Sequence, residues 1–286
     1  MEQSLQGKVV LLTGATEGIG KAAAFSLAKM GARLVLVGRN PEKSAAVLAQ
    51  IRERTGNAQI ELLLADLSRL SEVRHAARAF AQNHDRLDVL LNNAGAYFSD
   101  YQTSPDGFEL TFALNHLSYF LLTRELLPLL RKTPGARIVN TSSRAHEQGK
   151  MRLPFIARRD GKTAGFAAYA DSKLANILFS RALAKRPEAA GIAVSCFHPG
   201  FVRTGFAQNN EGLMRTLFKF GGKLFGRTPE QGAETLVWLA HSEEGGRAQG
   251  DYFFDKQIHK VSALAQNASL ADSLYTLSDS LCPQTP

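Results

Sequence analysis

Lys8-Val9-Val10-Leu11-Leu12-Thr13-Gly14-Ala15-Thr16-Glu17-Gly18-Ile19-Gly20 decides how this chain of 286 residues is read. A short apolar run closes on a glycine-rich turn, and the segment from Gly18 to Met30 then has helical character and stops at Gly31. Strand, turn and helix in that order form the opening unit of an α/β layer. Glycines at such a turn let the backbone approach a pyrophosphate, and the helix N-terminus directs free N–H groups and a positive dipole end at it. The spacing is G-x-x-x-G-x-G rather than G-x-G-x-x-G. A glycine turn by itself has a purely structural reading; its place between a first strand and a first helix favours the phosphate-binding one.

Outward from this unit the alternation continues. Arg33 to Val37 reads as a second strand, and Asn40-Pro41 supplies an N-cap and a proline at the first position of a helix running to about Arg54. Gln59 to Leu64 is a third strand, Arg69 to Asn83 a helix, Asp88 to Leu91 a fourth strand, about Gly107 to Leu130 a helix, and Ala136 to Thr141 a fifth strand. Further on, Thr228-Pro229-Glu230-Gln231 is a capping box opening a helix to about Ala240, and Asp251 to Phe254 is the last strand. Leu270, Leu274, Leu277 and Leu281 then mark a C-terminal amphipathic helix. Apolar strands that each return through a helix imply a parallel sheet covered on both faces. The expected fold is α/β, a Rossmann-type doubly wound parallel sheet in one domain spanning 1–286, with a substrate lid at 201–227 and a C-terminal extension at 256–286.

With 44% hydrophobic and 21% charged residues, the chain can bury a full core, which excludes disorder as its main state. No uninterrupted apolar run reaches membrane-spanning length, and the polar start from Met1 to Lys8 is too short for a signal peptide, so a cytoplasmic protein is expected. Two cysteines, Cys196 and Cys282, suggest neither a disulfide framework nor a metal cluster. The net charge of +8 is compatible with nucleic acid, an anionic membrane or a phosphorylated ligand. The basic residues are scattered and form no nucleic-acid motif, so no nucleic-acid partner is expected.

Chemistry enters at Tyr169-Ala170-Asp171-Ser172-Lys173. Phe166, Leu174, Ile177 and Leu178 make an apolar stripe at helical spacing, and Tyr169 and Lys173, four apart, share a helix face. An ammonium near a phenol favours the phenolate, so Tyr169 is a candidate general acid tuned by Lys173. An isolated pair of this kind is more often an aromatic in the core beside a solvated lysine.

The ordered set Thr13 to Gly20, Asp66-Leu67, Asn92-Asn93-Ala94-Gly95, Asn115, Ser142-Ser143, Tyr169 with Lys173, and Pro199-Gly200 resembles the short-chain dehydrogenase/reductases. The wording Leu114-Asn115-His116-Leu117, Ser172-Lys173-Leu174-Ala175-Asn176 and His198-Pro199-Gly200, with the long gap from Ser143 to Tyr169, is most similar to the retinol-dehydrogenase-like branch. The resemblance implies that Ser143 hydrogen-bonds the substrate oxygen and Tyr169 passes the proton. It also implies that Lys173 contacts the nicotinamide ribose and lowers the tyrosine pKa, while Asn115 holds a water that links Lys173 to solvent. It further implies that Gly14, Thr16, Gly18, Ile19 and Gly20 shape the pyrophosphate turn and that Asp66 and Leu67 bracket the adenine. Asn93, Ala94 and Gly95 would lie along the adenosine, with sheet stabilisation an alternative for Asn93. Pro199, Gly200 and Thr204 would reach the nicotinamide. The second strand ends in Val37-Gly38-Arg39-Asn40, with an arginine and no acid, which suits a 2′-phosphate and hence NADP(H) over NAD(H). Glu17 departs from that preference.

The function implied is interconversion of a small-molecule alcohol and carbonyl with NADP(H). A dinucleotide-binding scaffold or redox sensor without turnover is disfavoured by the intact set of Asn115, Ser143, Tyr169 and Lys173. A nucleotide-sugar epimerase or dehydratase is disfavoured by the short tail. Between Phe201 and Arg227, Leu213, Leu217, Phe220 and Leu224 recur at helical spacing beside the row Arg215, Lys219 and Lys223. This basic amphipathic lid favours an apolar, fairly bulky substrate; it packs on its own pocket or, more sharply, also makes peripheral membrane contact through 211–225. Formation of a homo-oligomer is left open.

Overall fold

The computed structural model describes residues 5–153, 165–202 and 226–284. Its strands are β1 (Val9–Thr13), β2 (Arg33–Gly38), β3 (Ile60–Leu64), β4 (Val89–Asn92), β5 (Arg137–Thr141), β6 (Ala193–Phe197), β7 (Gln249–Phe254) and β8 (Gln257–Ile258). They form one sheet in the order β3-β2-β1-β4-β5-β6-β7-β8. Every pairing is parallel except β7 with β8. The strand order reverses where β1 lies between β2 and β4. Ligands of such sheets bind outside the carboxyl ends of the strands at that switch point.

Helices α1 (Gly18–Lys29), α2 (Pro41–Thr55) and α7 (Pro229–His241) cover one face. The other face carries α3 (Leu70–Asn83), α5 (Ser118–Lys132), α6 (Phe166–Leu183) and α9 (Ala268–Leu281). Two short helices, α4 (Leu110–Phe112) and α8 (Ala263–Gln266), complete the set described. β1 divides between the layers by strand alternation: Val9 and Leu11 pack with α3, α5 and α6, and Val10 and Leu12 with α1 and α7. The caps read from sequence are present. Asn40 accepts from the Lys43 N–H at 2.8 Å ahead of Pro41, and Thr228 and Gln231 form the reciprocal capping box.

Three expectations are revised. The helix expected from Gly107 to Leu130 starts at Leu110, where the buried Glu109 carboxylate caps the N–H groups of Thr111 and Phe112. It also contains a π-helical turn, Ala113–Leu117, centred on Asn115. Phe166 is not part of the buried stripe; it is 41% exposed at the start of α6. Helix α6 is buried on its polar side as well, including Asp171, Ser172, Lys173, Asn176 and Ser180, because these residues face β5, the π turn and the loop at Lys150 and Met151, where each has a hydrogen-bond partner. Among the described residues no helix is long and apolar enough to cross a membrane.

Candidate active site

The turn after β1 is built almost wholly from backbone. Gly14 has φ +69°, and a Cβ there would lie 2.7 Å from Ala94 Cα. A Cβ on Gly20 would lie 2.1 Å from the Gly14 carbonyl oxygen, so α1 seats against the turn only with glycine at that position. Gly18 also has positive φ, +50°. The N-cap of α1, Glu17, makes no side-chain cap bond, and the first turn carries no acid. Its leading N–H groups are therefore left for an anion, with Thr16 and Ile19 in the same turn.

Thr13 and Asn93 stitch this turn to the end of β4. The Thr13 hydroxyl accepts from the N–H groups of Asn93 and Ala94 at 2.9 and 3.0 Å, and Asn93 Nδ2 donates to the Thr13 carbonyl at 3.0 Å. Asn93 thus serves the sheet. Thr13, which stands just before the first glycine, takes part in all three of these bonds, two through its hydroxyl and one through its carbonyl.

At the end of β2, Arg39 is exposed and α2 begins beside it. Glu17 is ion-paired with Lys43 of α2 at 2.6 Å, both side chains more than half exposed. Asp66 accepts from the Ser68 N–H and hydroxyl at 3.1 and 2.8 Å, and Leu67 is buried in the core.

The carboxyl ends of β4 and β5 meet α6 through side chains. Asn115, wholly buried in the π turn, accepts from the Ala96 N–H at 2.9 Å and donates to the Ala96 carbonyl and to Ser172 Oγ, each at 3.0 Å. All its amide hydrogens are used, and Gly95 is drawn so close that a Cβ would lie 3.1 Å from Asn115 Oδ1 and 3.4 Å from Lys173 Nζ. Lys173 is 3% exposed and donates to the Thr141 carbonyl at 3.2 Å. Its Nζ lies 5.6 Å from the centre of the Tyr169 ring. Ser143 acts on the Tyr169 hydroxyl as a hydrogen-bonding neighbour, and its own oxygen accepts from the Ala145 N–H at 3.2 Å. Tyr97 meets Tyr169 edge-on at 6.1 Å.

Burial pushes the Tyr169 phenol up to about 12, against the Ser143 hydrogen bond, which lowers it. Burial likewise pulls Lys173 down to about 8. The expectation that Lys173 draws the phenol toward neutrality is therefore not met in this structure: burial disfavours the charged form of each. Tyr169 is held in the protonated form, the form that donates.

Pro199 and Gly200 follow β6, and the Gly200 N–H bonds His198 Nδ1 at 3.2 Å. Thr204 and the amphipathic rows of the lid lie outside the described residues. The structure adds an unforeseen cluster beside Ser143: His146 bonds the Ser143 carbonyl at 2.9 Å and packs on Tyr252, and His198 stacks on Phe254 at 4.1 Å. The stacking partner of His198 lies on β7, remote in sequence, so no local pattern announces the cluster.

The family model for short chain dehydrogenases matches residues 8–212. Retinol dehydrogenase 11 of Homo sapiens is 40% identical over 276 residues, covering 96% of this chain and 85% of that protein. A Streptomyces protein provisionally named daunorubicin C-13 ketoreductase is 37% identical, covering 96% of this chain and 92% of its own. Among solved structures, a short chain dehydrogenase provisionally assigned in Escherichia coli CFT073, complexed with NADPH, aligns with a TM-score of 0.69 at 30% identity over 88% of this chain and 98% of its own.

Proposed function

The chain belongs to the short chain dehydrogenases, in their retinol-dehydrogenase-like branch, and on that premise we propose that it reduces or forms a carbonyl on an apolar, fairly bulky small molecule with NADP(H). One observation carries the reading: Tyr169 and Lys173 on one face of α6, the Lys173 Nζ 5.6 Å from the Tyr169 ring and held by the Thr141 carbonyl, at the strand ends that also carry the uncapped N-terminus of α1.

The residues present fit the cofactor. The uncapped first turn of α1 and the strictly glycine contact at Gly14 and Gly20 offer backbone N–H groups to a pyrophosphate, with Gly18, Thr16 and Ile19 completing the turn. Arg39 supplies a guanidinium for a 2′-phosphate, and pairing with Lys43 offsets the Glu17 charge that would oppose it. Asp66, Leu67, Ala94 and Gly95 border the adenosine side in this reading, and Pro199, Gly200 and Thr204 the nicotinamide side. Bound NADPH supplies a hydride.

For reduction, Tyr169 gives its phenolic proton to the substrate oxygen while the Ser143 hydroxyl donates a hydrogen bond to the same oxygen. Lys173, fixed on the Thr141 carbonyl, lies where its ammonium stabilises the phenolate left behind. Asn115 fixes the loop at Ala96 that closes over Lys173, and in this reading its turn also borders the water that returns the proton.

A bulky apolar substrate is supported by the aromatic lid sequence and by the substrate class in the two relatives' names. Contact of 211–225 with anionic membranes, and a cytoplasmic location, rest on sequence alone. Consumption of NADPH over a panel of aldehydes and ketones tests the reading. Turnover with at least one apolar carbonyl is expected; NADPH binding with no turnover across the panel would leave the scaffold reading.

A further inference from the structure

Behind Lys173 a chain of wholly buried polar groups runs to the C-terminal helix. The β4–β5 ladder ends at Asn92 and Asn140, so the Thr141 carbonyl projects past its last rung. That carbonyl accepts from Lys173 Nζ at 3.2 Å and from Asn176 Nδ2 at 3.1 Å. The second Asn176 hydrogen goes to the Asn115 carbonyl in the π turn at 2.9 Å. Asn176 Oδ1 meets His116 Nδ1 at 3.2 Å, and His116 Nε2 meets the Ser278 hydroxyl of α9 at 2.9 Å. Asn115, His116, Asn176 and Ser278 are all 0% exposed.

Counting donors fixes every orientation. Both Asn176 hydrogens face carbonyls, so its oxygen must be the atom turned to His116, and His116 must offer an N–H from Nδ1. Neutral imidazole then has a bare Nε2, which Ser278 satisfies as donor. Burial pulls His116 down to about 4, so it stays neutral through the working range. Lys173 also faces the rings of Tyr169 and Tyr119 and the Cys196 thiol, none of which connects it to α9.

We propose that Ser278 is a positioning residue for Lys173, acting through His116 and Asn176, whose hydrogen-bonded arrangement it holds in place from α9. Without the Ser278 donor, the buried Nε2 of His116 loses the partner that holds the ring in place. With that nitrogen unpaired the imidazole moves off the Asn176 oxygen, and the amide that donates to the Thr141 and Asn115 carbonyls is no longer held from behind. The carbonyl that holds Lys173 is displaced, and so is the π turn beside it. The C-terminal extension is on this view part of the catalytic apparatus, and the inference rests on the oxidoreductase reading above only for its kinetic consequence.

The test compares wild type, Ser278→Ala and, as control, Ser280→Ala, whose hydroxyl bonds only the Leu277 carbonyl of its own helix among described residues. Nitrogen NMR of ¹⁵N-histidine and ¹⁵N-lysine protein should show His116 protonated on Nδ1 in wild type. In Ser278→Ala the Lys173 titration midpoint should fall, because its ammonium loses a well-placed acceptor, and Ser280→Ala should match wild type. With a carbonyl substrate from the panel, Ser278→Ala should lower kcat about three- to tenfold, the scale of one hydrogen bond, with KM for NADPH little changed. A wild-type His116 protonated on Nε2, or a Lys173 midpoint that Ser278→Ala leaves in place, overturns the proposal. The NMR results decide it even if the panel yields no substrate, an outcome that counts against the function and not against the lock.

Discussion

The turn between β1 and α1 and the site where α6 meets β5 stand at the same edge of one sheet, yet they are made in opposite ways. The first presents main-chain N–H groups and glycines that a methyl group would collide with. The second is a set of side chains, each held by another: Lys173 by the Thr141 carbonyl, Asn115 by Ala96 and Ser172, and Tyr169 by Ser143. A backbone site fails when something is added to it, and a side-chain site fails when a single polar atom is removed. Cofactor binding and proton transfer should therefore be separable by mutation.

The largest separation is expected at Tyr169. Tyr169→Phe removes the donor and keeps the ring, so kcat at saturating NADPH should fall by about 10²–10⁴-fold, the usual worth of general acid catalysis, with thermal stability little changed. Gly20→Ala should do the reverse. Its Cβ would meet the Gly14 carbonyl at 2.1 Å, and overpacking of this kind costs about 1–3 kcal/mol, or roughly five- to 150-fold in NADPH affinity, while kcat at saturation is retained. A Gly20→Ala protein that binds NADPH normally but turns over slowly would break the comparison.

Arg39 sharpens it within the cofactor side. A charge-assisted hydrogen bond is worth about 1.5–3 kcal/mol, so Arg39→Asp should shift the NADPH to NADH affinity ratio roughly ten- to hundredfold toward NADH. Wild-type protein that binds the two equally would contradict the reading of this turn.

The smallest effect expected is on stability. Burial pulls His116 and His198 each down to about 4. The unfolded chain takes up protons near pH 6.5 that the folded chain refuses until about pH 4, so stability is full above the first value and is lost as pH falls through that window. His116→Gln should flatten the fall of the thermal midpoint between pH 7 and pH 4.5 by a few °C, since each kcal/mol is worth about 2–4 °C in a chain of this size. An unchanged slope would mean that His116 is not held neutral by its surroundings.

The same contrast explains what was legible in the sequence. Glycine spacing, strand alternation and the Asn40-Pro41 and Thr228 caps act within a few residues, so the parallel strands, their helices and the first turn could be read directly, while the two-residue antiparallel β8 beyond the expected last strand could not. Tyr169 and Lys173 were legible as a pair on one helix. Their supports were not: the Ser278 hydroxyl lies 162 residues from His116, and Asn176 reaches 61 residues back to the Asn115 carbonyl. The π turn escaped for the same reason, since Asn115 is held there by loop and α6 partners rather than by local propensity. The direction of the tyrosine shift was not legible either, because pair spacing says nothing of the burial that raises the Tyr169 phenol.

The central claim is that these two regions divide cofactor binding from proton transfer, and the most direct measurement is the NADPH affinity of the Tyr169→Phe protein by fluorescence titration. The account predicts a Kd within about threefold of wild type in a protein whose turnover is lost, because removing the hydroxyl leaves the backbone turn untouched. A Kd weakened tenfold or more, about 1.4 kcal/mol, would show that Tyr169 holds the cofactor as much as it serves the proton, and the division would fail.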